Sequence, residues 1–331
     1  MKFGKIDHFI VLGGSLITLY FLKHLKKKKI KFHYFTNKRQ LQDTLTNGKS
    51  LIENLKSNLI KFNISEDINK ENKIQKVITK NSMTIGFGEP WPIKAKLLKK
   101  FKGRIVDFMG IPLPQYRGGA HYSWMILNDS RDGGCFLQNL NDKTLQGSSD
   151  TGNYYMSYNY KYPKSLNTPK DYFKYSITKE LFFLKKFLKK INSKNNMFIL
   201  KKFNENNSIL FPRLISAKNG FIDWSNSADE IVRFINAFSE PYSGAISFYG
   251  KKKVFLKNAK LIKKNNFHSY TSGLIVNKID NNLIIAGKRG LISVKDVKNE
   301  KNENLFKLLK VGNRISTTNK YVVKSKIHLK F

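Results

Sequence analysis

Apolar and polar positions change rhythm along this chain, and the changes divide it. Residues 8–12 are a short apolar run ending at Gly13 and Gly14, after which Ser15 opens a mostly apolar stretch to about Lys27. An apolar run, a glycine turn and a capping hydroxyl predict a buried strand, a tight turn and a helix. Residues 30–35, 82–87 and 104–109 predict three further strands, with an amphipathic helix over 93–101 between the last two. Strands alternating with helices imply a parallel sheet with right-handed crossovers. Residues 110–114 (GIPLP) cannot be helix. Beyond them the pattern predicts a helix over 120–127, a strand over 133–140, an extended stretch at 154–158 and a long helix over 169–190. Residues 192–207 turn polar and read as a linker.

Past that point the rhythm is different. A short helix over 225–238 is followed by apolar runs at 245–249, 254–256, 273–276, 283–286 and 291–294, separated by turns such as Asn281-Asn282. Short strands with turns read as a small barrel or sandwich. The expectation is an α/β domain with a doubly wound, mostly parallel sheet over 1–205, then a small, mostly-β, barrel-like domain over 206–331.

A chain of 331 residues with 40% hydrophobic and 13% aromatic residues can bury two such cores. The formal charge of +38 favours anionic partners. Only eight of the 61 basic residues are arginines, however, and the lysines are spread along the whole chain. Dispersed charge reads first as a solvated surface. The single cysteine, Cys135, excludes a disulfide framework and a cysteine zinc site, and the histidines share no metal-binding spacing, so no metal is expected. The apolar stretch 9–22 is too short for a membrane span and is interrupted by Gly13-Gly14; a cytoplasmic protein is the expectation. Gly13-Gly14 does not complete a dinucleotide fingerprint, because Leu16 and Ile17 fill its later positions.

Residues 106–124 read VDFMGIPLPQYRGGAHYSW. This stretch resembles the signature of the folate-dependent formyltransferase family, Asn-x-His-x-Ser-x-Leu-Pro followed by a glycine, with Leu113-Pro114, Tyr116-Arg117-Gly118 and Trp124 matching the version in its tRNA enzymes. Asp150-Thr151-Gly152 resembles the family's downstream Asp-x-Gly, and Gly88 the step before its folate loop. Phe211-Pro212-Arg213-Leu214, residues 220–224 (GFIDW) and 238–245 (FSEPYSGA) resemble the lead into its C-terminal domain. The resemblance implies formyl transfer from 10-formyltetrahydrofolate to a primary amine, with an amino sugar on a nucleotide or lipid carrier as the favoured acceptor. Methionyl-tRNA is the alternative acceptor. A catalytically silent relative that binds folate, nucleotide sugar or RNA is the alternative class. The resemblance also implies folate contacts at Phe87, Gly88, Glu89 and Trp91, and a substrate loop at Pro114, Arg117, Gly118 and Gly152.

The catalytic motif departs from the family. Its Asn position is Asp107 and its His position is Met109, while Asp150 is retained. Formyl transfer builds negative charge on an oxygen and releases a proton from the amine, which calls for hydrogen-bond donors and a base. An ionised Asp107 would repel the charge, and Met109 neither donates nor transfers a proton. His121 follows two glycines on the same loop, so Asp107, His121 and Asp150 are the expected catalytic set. Carboxylates around that imidazole would hold it protonated.

Overall fold

The computed structural model describes residues 1–140, 152–193, 196–264 and 266–328. Asp150 lies outside the described residues. The chain forms two compact units. The first comprises Met1–Arg117, Asp132–Tyr160 and Ser176–Ile209; the second comprises Gly118–Arg131, Lys161–Tyr175 and Leu210–Phe331.

The first half of the chain runs β1 (His8–Gly13), α1 (Leu16–Lys27), β2 (Phe32–Thr36), α2 (Lys38–Gln42), α3 (Leu51–Ser57), β3 (Asn63–Ile64), α4 (Asn72–Val77), β4 (Ser82–Phe87), α5 (Ala95–Lys100), β5 (Ile105–Met109), β6 (Arg117–Gly118), α6 (His121–Leu127), β7 (Asp132–Asn139), β8 (Tyr154–Lys161) and α7 (Pro169–Ile191). One seven-stranded sheet results, in the order β3-β2-β1-β4-β5-β7-β8. The strands from β3 to β5 pair in parallel, and β7 joins β5 antiparallel. Alternation places successive side chains on opposite faces. On one face Phe9, Phe87 and Phe108 meet Phe21 of α1 and Phe183 of α7 in a run of ring contacts. On the other, Ile10, Leu12 and Ile105 pack with Trp91, Ile93 and the buried side of α5. Both faces are covered, as the doubly wound reading expects. Ser15 caps α1 by accepting from the Thr18 amide.

The segment read as a linker is part of the first unit. Phe198 is fully buried against Phe3 and Phe187, the Met1 amino group donates to the Phe198 carbonyl, and Tyr154 and Lys201 exchange backbone hydrogen bonds. Two apolar side chains, Phe198 and Phe203, fix this stretch despite its polar composition.

The rest of the chain runs β9 (Leu210–Phe211), α8 (Ser216–Asn219), α9 (Ala228–Ala237), β10 (Ala245–Tyr249), β11 (Lys252–Lys264), β12 (Ile275–Ile279), β13 (Asn282–Gly287), β14 (Gly290–Lys298), β15 (Ile315–Ser316) and α10 (Asn319–Ser325). Six of these strands form an antiparallel sheet, β12-β13-β14-β11-β10-β15. Its two edges are joined. Ile315 donates to the Gly273 carbonyl and Ile275 to the Asn313 carbonyl, each at 2.8 Å. Closure of this kind leaves little free edge for another chain to pair with. It depends on Gly273, where φ is +80° and a Cβ would lie 2.1 Å from the Ile315 carbonyl oxygen. Trp224 packs within this unit and donates from Nε1 to Ser247 Oγ at 2.9 Å. Among the described residues no helix is long and apolar enough to cross a membrane.

Candidate active site

In an open parallel sheet, ligands seat outside the carboxyl ends of the strands where the strand order reverses. Here that point lies between β1 and β4. Gly13 ends β1 with φ +96°, and a Cβ on it would strike the Phe87 carbonyl oxygen at 2.4 Å. Glycine therefore lets the end of β1 lie against residues 87–89. The Gly88 carbonyl accepts from Gln40 Nε2 at 2.9 Å, and Gln40 in turn accepts from the Thr36 hydroxyl.

Two carboxyl groups meet beside this point. Asp107 on β5 is in register with Gly86 on β4, and Glu89 folds back from the turn after β4 to share a hydrogen bond with Asp107. The bare Cα of Gly86 makes the room: a Cβ there would lie 2.4 Å from Glu89 Oε2 and 3.0 Å from Asp107 Oδ1. Oε2 of Glu89 is sealed from solvent. That burial pushes the Glu89 carboxyl above the usual carboxylate range, against the opposing effects of a backbone hydrogen bond and of the Asp107 contact. Carboxylates only accept hydrogen bonds, so two of them in contact must hold a proton between them. The sequence assigned Glu89 to cofactor binding and Asp107 to catalysis; the fold brings them together as one carboxyl pair. The usable signal was the glycine at 86, two residues before the turn.

Another buried carboxyl lies on α7. Glu180 on α7 packs against the bare Cα of Gly110, where a Cβ would lie 2.6 Å from Oε1. Burial raises its pKa to about 8. Cys135 is a buried free thiol, pushed up by burial and by the charge of Glu180; as a neutral thiol it is chemically quiet. Among the described residues no cluster of three or more His, Cys, Asp or Glu side chains fits a metal ion.

The other expected site residues are placed as follows. Phe87 is a core residue between Phe21 and Phe108, and Trp91 is buried in the opposite core with Nε1 donating to the Ser65 carbonyl. Neither ring is presented to a pterin, because the strand alternation and the turn after β4 direct both inward. Arg117 is not free to meet a phosphate. It is buried, and Nη2 donates to both carboxylate oxygens of Glu205, at 2.9 and 3.1 Å. The Pro114 carbonyl accepts from the Ile209 amide, so the loop is tied down at both places. Gly118 has φ +93°, and a Cβ would lie 2.2 Å from the Phe211 carbonyl oxygen, which only glycine avoids. Gly152 also has positive φ, +133°. Met109 packs with Ile111, Leu113, Phe136 and Phe203 as an apolar filler.

His121 opens α6 in the second unit. Its Nε2 is buried with no partner among the described residues, and burial lowers its pKa to about 4. The expected protonated imidazole is therefore not what the structure shows. At neutral pH the ring is uncharged, because desolvation outweighs any favourable charge.

Comparisons with known proteins agree with this architecture. Residues 214–306 match the family described as formyl transferase, C-terminal domain. The bifunctional polymyxin resistance protein ArnA of Wigglesworthia glossinidia brevipalpis is 29% identical over 188 residues, 56% of this chain and 26% of that protein. The methionyl-tRNA formyltransferase of Mycoplasma capricolum is 26% identical over 218 residues, 61% of this chain and 63% of that protein. The chain thus spans less than two thirds of the length of either relative. Among solved structures, the sugar 3N-formyltransferase WlaRD, determined with dTDP and 5-N-formyl-THF, superposes with a TM-score of 0.64 at 20% identity, over 88% of this chain and 98% of that one. The N-formyltransferase from Helicobacter canadensis, in complex with folinic acid and dTDP-3-aminofucose, gives 0.63 at 20% identity over 87% and 98%. Residues 214–306 thus match the C-terminal domain of the formyl transferase family, and the fold is similar to that of the sugar N-formyltransferases.

Proposed function

We propose that this protein transfers a formyl group from 10-formyltetrahydrofolate to the primary amine of an amino sugar carried on a nucleotide. The observation that carries this reading is the Glu89–Asp107 pair on the floor made by Gly86. The buried Oε2 of Glu89, beside the strand-order switch point, fits a ligand that brings its own polar atoms. The two sugar N-formyltransferases, whose structures hold folate derivatives and dTDP or a dTDP-sugar, support the donor and the acceptor. Methionyl-tRNA is the second acceptor, favoured by the similarity to the Mycoplasma capricolum enzyme.

The folate, when bound, supplies an activated formyl carbon. Glu89, whose burial favours its neutral form, holds the shared proton and can donate a hydrogen bond to an oxygen that gains negative charge. A carboxylic acid kept neutral by burial serves this purpose as an amide would. Asp107, across the shared hydrogen bond, would accept the proton that the amine sheds as its new C–N bond forms. Asp107 would then return that proton to the leaving nitrogen, so the transfer balances with no net proton gained or lost. An acidic residue where the family has Asn is thus no obstacle, because the pair carries one negative charge and not two. The sequence also assigns His121 and Asp150 to catalysis; burial keeps the His121 imidazole neutral, and Asp150 lies outside the described residues.

A formyl-transfer assay with a panel of dTDP-amino sugars tests the proposal. Asp107→Asn and Glu89→Gln should each lower kcat by ~10²-fold, the size expected for a lost transition-state donor or base, with folate affinity nearly unchanged. The wild-type rate should fall as pH rises far enough to strip the shared proton. Folate binding without transfer to any of these acceptors would overturn the sugar assignment.

A further inference from the structure

The sheet brings a third polar side chain to the carboxyl pair. Gln138 on β7 stands directly opposite Asp107 in the antiparallel register. Directly opposed residues leave the sheet on the same face with their Cβ atoms ~5 Å apart. Gln138 is only 4% exposed, and its Nε2 has no hydrogen-bond acceptor among the described residues. Its strand neighbours Cys135, Phe136 and Leu137 are buried and apolar or nearly so. Leaving a buried amide unsatisfied costs ~1–3 kcal/mol. An apolar residue would avoid that cost, yet the chain keeps a carboxamide at the position facing Asp107.

We propose that Gln138 is a further catalytic residue, whose Nε2 donates a hydrogen bond to the formyl carbonyl oxygen. The inference rests on the formyl-transfer reading above. Its Nε2 makes no hydrogen bond among the described residues, and a carbonyl oxygen is an acceptor only. The chemistry also asks for it. The carboxyl pair holds a single proton, which is lost as pH rises, whereas an amide offers two N–H donors at every pH. A donor on β7 therefore stabilises charge on the oxygen independently of the proton that moves between the amine and Asp107.

The test uses the full chain with bound 5-formyltetrahydrofolate carrying ¹³C in the formyl group, read by isotope-edited infrared difference spectroscopy. A hydrogen bond to the formyl oxygen lowers its C=O stretch. Q138M, unbranched and of similar size but without an N–H, should return the stretch towards its value in free folate. Q138H, which restores one N–H, should recover part of the lowering. In the transfer assay Q138M should lose ~10²-fold in kcat with little change in KM. A wild-type stretch in Q138M at retained folate affinity would overturn the assignment and leave the formyl-transfer reading standing, since Gln138 would then only brace Asp107. Absence of folate binding in the wild type would overturn both.

Discussion

Glu89, Asp107 and Glu180 show how a single residue's surroundings change its chemistry. All three would be ionised in water at neutral pH. Folding desolvates Glu89 against Asp107, and sets Glu180 on the backbone of Gly110 with a pKa of about 8. A carboxyl whose folded pKa is raised prefers the folded state while protonated. Its contribution is fully present below the unfolded value near 4.5 and is lost as pH rises through about 8. Each pH unit between those two values removes ~1.4 kcal/mol, so stability should decline by on the order of 4 kcal/mol from about pH 5 to about pH 9. Glu180→Gln should flatten that decline. Urea unfolding at about pH 5, 7 and 9 measures it, and an equal slope in both proteins would show that Glu180 is not the group responsible. The burial of Glu180 was not legible in the sequence. Glu180 reads there as one more polar position on a long helix, and only the approach of Gly110 makes it a buried acid.

At the scale of elements, the sequence was legible wherever local chemistry and burial pointed the same way. Ser15 after Gly13-Gly14 caps α1 as its position suggests, and Ser82–Phe87 is the strand that its apolar run predicts. The pattern misled where charge interrupted a buried element. β11 extends over thirteen residues, Lys252–Lys264, although only 254–256 reads as an apolar run, because lysines on both sides interrupt the apolar pattern. The supposed linker failed for the converse reason, since its average polarity hides Phe198 and Phe203. Phe198→Ala should destabilise the protein by ~3–5 kcal/mol, the usual cost of emptying a large aromatic site in a core. Denaturant unfolding would show this as a fall in midpoint. Limited proteolysis of the wild type should spare the backbone at 197–203, and early cutting there would contradict the packing described.

For the whole molecule the question is what the +38 charge does. A surface built to read an RNA concentrates its basic groups, mixes in arginine and pairs them with specific contacts. This chain spreads its lysines over both units, while four of its eight arginines have acidic or carbonyl partners within the protein. Arg117 holds Glu205, Arg233 holds Asp229, Arg131 bonds to the Leu166 carbonyl and approaches Asp129 at 3.8 Å, and Arg314 bonds to the carbonyls of Tyr270 and Ser272. Arg104 is half-buried, and that burial lowers its pKa. The charge available to a polyanion is therefore mostly lysine, a flexible point charge without a fixed recognition geometry. Binding to tRNA should follow from counterion release: weak near physiological salt and falling steeply as salt rises, with a slope of roughly −0.7 to −0.9 per phosphate contact. It should also be blind to sequence, because phosphate contacts carry none. Filter binding of initiator and bulk tRNA over a salt series measures both properties. Equal affinities that decay together are the expected result. A preference of tenfold or more for initiator tRNA, persisting at high salt, would mean that part of the surface reads the acceptor directly, and would move the acceptor from an amino sugar to methionyl-tRNA.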